Sequence, residues 1–264
     1  MADGKLSGKI AVVTGGGGSG IGHGISEALA RAGAHVVIVE IDLASAEATR
    51  HAIEAAGGKA SVIRGDVSES RQVESVIREV VEKHQRLDVL VNSAGVGLVK
   101  PPAEVSEEEF DRLTDIDLRG VWLCCKFAIR QMQMQKSGSI INIASVHSRA
   151  TIPGFGIYAG IKAGVVGLTR GIAVQYGPDG IRANAVCPGL VDGKQTRDII
   201  ATLAPDVEAW FRDFVHRYQA LPQVVRPDDI GQMVAFLGSD EARMVTGAEI
   251  PVDGGTWAML TGRD

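Results

Sequence analysis

A chain of 264 residues with 45% apolar and 22% charged side chains has the balance of a soluble globular protein, which excludes disordered and collagen-like chains. The 27 Lys and Arg are outnumbered by 32 Asp and Glu, giving a net charge of −5 without any basic run. Neither nucleic acid nor a membrane surface is therefore an expected partner, and a small-molecule substrate is. Glycine is in excess, with 33 residues against a usual share of about 7%, so many close backbone approaches are expected. Cys124, Cys125 and Cys187 form neither a paired framework nor a metal or redox spacing, which predicts buried thiols in a reducing compartment and no metal. The start, MADGKLSGK, has no apolar core, and no apolar run approaches the roughly 18 residues of a membrane span. A cytoplasmic enzyme is expected.

Short β-branched runs at Ile10–Thr14, Val36–Glu40, Ser61–Arg64, Val89–Asn92, Ser139–Ile143, Ala183–Val186 and Glu249–Val252 predict about seven buried strands. Amphipathic segments near 21–32, 43–56, 69–84, 106–135, 157–176 and 228–238 predict helices between them. Strand and helix in alternation imply right-handed crossovers and a parallel sheet covered on both faces. The expected fold is a single-domain, doubly wound Rossmann α/β structure spanning 1–264. The least regular stretch, 190–226, carries Trp210, Phe211 and Phe214 and follows a strand's carboxyl end, where such folds bind ligands. A substrate lid is expected there.

The first strand runs into Thr14-Gly-Gly-Gly-Gly-Ser-Gly-Ile-Gly22 and then a helical pattern. Glycines let the backbone turn and approach a pyrophosphate, and the helix start offers unpaired N–H groups and partial positive charge. Strand, glycine turn and helix in that order predict a dinucleotide site. Without Gly-Lys-Ser/Thr, a nucleoside-triphosphate loop is not expected. Glu40 stands 18 residues after Gly22 at the end of the second strand, where a carboxylate accepts bonds from ribose hydroxyls and repels a 2′-phosphate. Ser19 is uncharged and no cation directly follows Glu40, so NAD is expected over NADP; Asp42 is the competing acid.

Tyr158 and Lys162 are four residues apart at the start of a helical stretch, which sets phenol and ammonium on one face. A nearby cation favours phenolate and suits Tyr158 to exchange a proton with a substrate oxygen. In this company the sequence resembles the short-chain dehydrogenase/reductase superfamily over nearly its whole length. The matching pieces are the glycine turn, Asp66-Val67, Asn92-Ser-Ala-Gly95, Ser145, Tyr158 with Lys162, Pro188-Gly189, and Val252-Asp-Gly-Gly255. Ser145 precedes Tyr158 by 13 residues, the separation the family uses. The resemblance implies Tyr158 as general acid or base, Ser145 as donor to the substrate oxygen, and Lys162 as the group that tunes Tyr158 and holds the nicotinamide ribose. It implies cofactor contacts from Gly15, Gly16, Ser19, Gly20, Ile21 and Gly22 of the turn and from Asp66 and Val67 beside the adenine. Asn92, Ala94 and Gly95 would form the floor, with Pro188, Gly189 and Val191 near the nicotinamide. Hydride transfer without a metal follows.

Three positions depart from the family pattern. The turn between Gly15 and Gly20 is one residue longer, so either Gly15 is an insertion or the loop bulges. Asp117 stands where the family carries the Asn that supports a proton relay; an ionised Asp117 could compete for the Lys162 ammonium. Gly193 replaces a Thr that supports the carboxamide, a task Thr196 could assume. His147, with Ser145 and Tyr158, is expected to line the substrate pocket. His147, Arg149, Lys100, Lys194 and Arg197 point to a polar or anionic substrate, whereas Trp210, Phe211 and Phe214 point to an apolar one. Helices 106–135 and 157–176 are apolar on several sides, and the family's habit of pairing through them implies a homo-oligomer, tetramer or dimer. The leading expectation is an NAD(H)-dependent oxidoreductase that interconverts a secondary alcohol and a ketone. The alternatives are a catalytically weak NAD-binding sensor or interaction protein, suggested by Asp117 and Gly193, and an NADPH-dependent ketone reductase.

Overall fold

The apolar runs form seven parallel strands in the order β3-β2-β1-β4-β5-β6-β7. They are β1 (Ile10–Thr14), β2 (His35–Glu40), β3 (Lys59–Arg64), β4 (Val89–Asn92), β5 (Gly138–Ile143), β6 (Ile181–Pro188) and β7 (Glu249–Val252). The computed structural model describes residues 4–259 and 261–262. Because successive side chains of a strand point to opposite faces, the sheet needs a core on each side. Val12, Val37 and Leu90 meet α3 (Ser70–His84), α5 (Val121–Gln135) and α6 (Gly156–Tyr176) on one face. Ala11, Val13, Val36 and Ile38 meet α1 (Ile21–Arg31), α2 (Leu43–Ala55) and α9 (Pro227–Gly238) on the other. Each fully buried Leu or Ile contributes about 1.5–3 kcal/mol. The helices α1 and α9 touch through glycine: a Cβ on Gly231 would come within 2.5 Å of the Gly24 carbonyl oxygen. The expected single-domain, doubly wound α/β fold is the one observed. Its strand order reverses between β1 and β4, which opens a crevice at their carboxyl ends.

The structure alters three sequence-based expectations. The helix expected over 106–135 is α4 (Glu107–Thr114) and α5 joined by a wider π-helical turn at Asp115–Gly120. The reason lies in Asp117, whose side chain turns inward to accept the Val96 N–H at 2.8 Å. The stretch 190–226, expected to be the least regular, holds two helices, α7 (Lys194–Leu203) and α8 (Val207–Tyr218). Its base is anchored where Val191 bridges to Val225. Finally, Gly156–Asp179 is long and apolar enough by composition to cross a membrane, contrary to the expectation of no such stretch. Here its Val165, Thr169 and Ile172 are buried against the sheet and its Lys162 is carried into the crevice, as befits a core helix.

Candidate active site

Directly after β1, the Gly15 N–H donates to the Val39 carbonyl at 2.8 Å, and the turn closes so tightly that a Cβ on Gly22 would lie 1.9 Å from the Gly15 oxygen. Further along the turn Gly18 takes φ +81° and donates its N–H to the Ser45 carbonyl. Gly16 packs against Val13 and Ser26 and does not face the crevice; Gly17, absent from the sequence expectation, does. Ser19 borders a neighbouring open groove with Gly18, Lys194 and Asp198. The amino end of α1 carries no side-chain cap, so its first N–H groups remain available to an anion.

From this turn a cleft of about 850 Å³ runs between Glu40, Asp66 and Val67 at one end and Val191 and Thr196 at the other. Glu40 ends β2 with Oε1 accepting the Ile41 N–H at 2.9 Å. Asp42 is occupied as the cap of α2, accepting the Ala44 N–H at 3.0 Å, which leaves Glu40 as the acid lining the cleft at this point. Asp66 Oδ1 accepts both the N–H and the hydroxyl of Ser68. Ile21, Gly20, Gly22, Ala94 and Gly95 also line the cleft. Asn92 does not: it is 2% exposed, and its Nδ2 donates to Asn142 Oδ1 at 2.7 Å, tying β4 to β5 beneath the floor. The lining residue next to it is Ser93.

A second chamber, of about 300 Å³, shares Ile21, Ser93, Gly95, Val96, Val191 and Thr196 with this cleft and is continuous with it. Ser145, Tyr158, Lys162, Asp117 and His147 all line it, together with Pro188 and Gly189. Ser145 follows β5 in extended backbone, and its Oγ accepts the His147 N–H at 3.2 Å. Tyr158 is in the first turn of α6, and one turn on the Lys162 Nζ lies 5.5 Å from the Tyr158 ring centre. Nζ also donates to the Ile143 carbonyl at 3.3 Å and pairs with Asp117 Oδ2 at 2.9 Å. Burial works against the Lys162 ammonium, but the Tyr158 and Asp117 oxygens outweigh it and hold its pKa above that of an ordinary lysine. His147 stacks on Phe155 at 4.4 Å and meets Tyr158 edge-on, and burial lowers its pKa, which favours the neutral imidazole. The Ser145 loop is further pinned by Ser148 Oγ, which donates to the Ser145 carbonyl at 2.7 Å, and by Trp257 Nε1, which donates to the Val146 carbonyl at 2.8 Å. Trp257 escaped the sequence reading because 111 residues separate it from Val146.

Such a fold and such a chamber define a class of nucleotide-dependent enzyme. The family model described as enoyl-(acyl carrier protein) reductase matches residues 16–256. A short-chain dehydrogenase/reductase of Armillaria gallica is 39% identical over 97% of this chain and 98% of its own length. The meso-2,3-butanediol dehydrogenase of Serratia marcescens is 35% identical over 96% of each chain. The crystal structure of levodione reductase superposes with a TM-score of 0.89 at 32% identity, covering 97% of this chain and 100% of that one. The chain belongs to the short-chain dehydrogenase/reductase superfamily, and it is an oxidoreductase of that family.

Proposed function

We propose that this protein is an NAD(H)-dependent oxidoreductase interconverting secondary alcohols and ketones, a reading carried by the convergence of Ser145, Tyr158 and Lys162 on a chamber continuous with the glycine-floored cleft. The cleft suits a dinucleotide: its glycines let backbone close on a pyrophosphate, and the uncapped start of α1 supplies N–H donors. Glu40 would take the adenosine ribose hydroxyls, Asp66 and Val67 would border the adenine, and Pro188, Gly189 and Val191 would flank the nicotinamide. Acids dominate the cleft wall, where among the described residues Glu40, Asp66, Glu108, Asp111 and Asp115 stand against Arg112, and this supports NAD over NADP. The bound coenzyme supplies or accepts hydride at its nicotinamide C4. Tyr158 gives a proton to the substrate oxygen in reduction and recovers it in oxidation, while Ser145 Oγ donates a hydrogen bond to the same oxygen. Lys162 favours the phenolate by its charge. The printed names of the Serratia relative and of levodione reductase, an alcohol dehydrogenase and a ketone reductase, agree with this reading.

The segment 190–226 is proposed as the substrate lid, since Thr196, Ile199 and Phe214 reach the chamber from it. A homo-oligomer, dimer or tetramer, is proposed through α5 and α6, supported by Trp122 at 45% and Val174 at 82% exposure. A cytoplasmic location is proposed on the three buried, free thiols. Fluorescence titration with NADH and NADPH, followed by a panel of secondary alcohols and Tyr158→Phe, tests the function. The variant should bind coenzyme within about threefold of the parent and lose about 10²–10⁴-fold in turnover. Unchanged turnover would overturn the role of Tyr158, and tighter NADPH binding would overturn that of Glu40.

A further inference from the structure

We infer that the substrate is a compact, uncharged and mainly apolar ketone or alcohol, selected by a chamber whose charged groups, among the described residues, are paired with each other; this rests on the hydride-transfer reading of Ser145, Tyr158 and Lys162. The sequence offers five basic side chains near the pocket, and the structure disposes of four of them. Lys100 pairs with Glu109 at 2.9 Å, Lys194 pairs with Asp198, and Arg197 is held between Asp192 and Glu208. Arg149 lies over the Trp257 ring, 5.5 Å from its centre. None of the four lines the chamber, and the fifth, His147, is committed to its stack on Phe155 and to Thr151 Oγ1 at 2.9 Å.

Among the described residues, Lys162 and Asp117 are the chamber's charged groups, and each is the other's partner at 2.9 Å. An incoming carboxylate would meet no free cation and would face the Asp117 charge. The remaining wall is mainly apolar, with Val96, Ile152, Phe155, Ile199, Ile200 and Phe214, and its other polar side chains, Ser93, Thr196 and Thr256, are uncharged. Of Trp210, Phe211 and Phe214, Phe214 reaches it: Trp210 stacks behind Phe214 at 5.5 Å, and Phe211 is 2% exposed. A volume of about 300 Å³ lies at the small end of ligand pockets, so the substrate is compact. Removing an unpaired carboxylate from water into such a site is heavily disfavoured, whereas a neutral ring or short chain gains from burial.

The test is a pair of ring ketones, 4-oxocyclohexane-1-carboxylate and its methyl ester, offered to the NADH-loaded enzyme. The ester is the larger of the two, so a preference for it is a preference against charge and not against size. We expect its kcat/KM to exceed that of the acid by at least about 100-fold. Ile199→Lys, on a partly exposed helix face that tolerates a charge, should narrow that ratio about tenfold by improving the acid. Turnover with equal rates, or with the acid preferred, overturns this inference and leaves the oxidoreductase reading standing. Binding of the ester but not the acid to the loaded enzyme, seen by saturation-transfer NMR, supports this inference even where that ester is not turned over, and the Tyr158→Phe comparison on the alcohol panel decides hydride transfer separately. Failure of both compounds to bind or react overturns the inference.

Discussion

Asp117 joins two groups that must stay in register: Oδ1 takes the Val96 N–H at 2.8 Å and Oδ2 lies 2.9 Å from the Lys162 Nζ. Both side chains are almost wholly buried, so the pair is shielded from salt and water. A carboxylate here neutralises part of the field with which Lys162 would favour the Tyr158 phenolate. Asp117→Asn removes that competition. The expected outcome is turnover at neutral pH that is retained or raised up to about tenfold. Asn has one acceptor for two donors, so the same variant should lose about 1–3 kcal/mol of stability in denaturant melts. A collapse of turnover in a folded variant would mean that the carboxylate has a catalytic task of its own.

How much of this was legible in the sequence depended on range. Continuous apolar runs gave all seven strands, and their alternation with helices gave the parallel sheet, because both signals are local. Strand ends such as Ile181 and Pro188 lay outside the apolar run and were set by pairing with neighbours. The facing of Gly16 and Gly17 could not be read from a string of four glycines, since no side chain marks which one turns inward. Asn92 belongs to a motif that suggests the cofactor floor, yet its amide is spent on Asn142, 50 residues away. The competition of Asp117 for Lys162 was visible as a possibility from residue type alone; the π turn that delivers it was not.

Glu40 is in register with Arg64 across β2 and β3. Parallel pairing sets the two on the same face at the Glu40 end of the cleft, but Glu40 is the member that lines the cleft. Glu40→Ser removes the proposed acceptor for ribose hydroxyls and leaves the neighbouring Arg64 without the facing carboxylate. NAD affinity should fall about 10- to 100-fold, the equivalent of about 1.5–3 kcal/mol for a charge-assisted bond, and NADPH affinity should rise. Fluorescence titration with both coenzymes measures the crossover. Unaltered NAD binding would remove Glu40 from the ribose site.

Trp257 holds the loop that presents Ser145. Its Nε1 donates to the Val146 carbonyl at 2.8 Å, its backbone N–H is held by Asp253 Oδ2 at 2.8 Å, and its ring lies under Arg149. Trp257→Phe keeps a ring for Arg149 and deletes only the indole donor, a change costing about 1 kcal/mol. Because Val146 adjoins Ser145, loosening should appear in kcat, several-fold down, while coenzyme affinity stays within about twofold. An equal loss in both would mark the contact as merely structural.

The thiols give a prediction independent of the catalytic reading. Burial pushes the pKa values of Cys125 and Cys187 up to about 12, and that of Cys124 also rises, through burial and its neighbour Cys125. At pH 8 the thiolate fraction of Cys125 or Cys187 is then on the order of 10⁻⁴, so the folded protein should be inert to a disulfide reagent that titrates all three thiols after unfolding. The sign of the linkage follows. These folded-state values lie above those of the unfolded chain, so between about pH 9 and 12 the unfolded state releases protons that the native state keeps. The thiols' contribution is whole below about pH 9 and is lost progressively above it, and urea midpoints should fall across that range. A Cys124→Ala, Cys125→Ala, Cys187→Ala triple variant should fall less steeply over the same interval. Rapid modification of the native protein at pH 8 would show that the thiols are reached without unfolding.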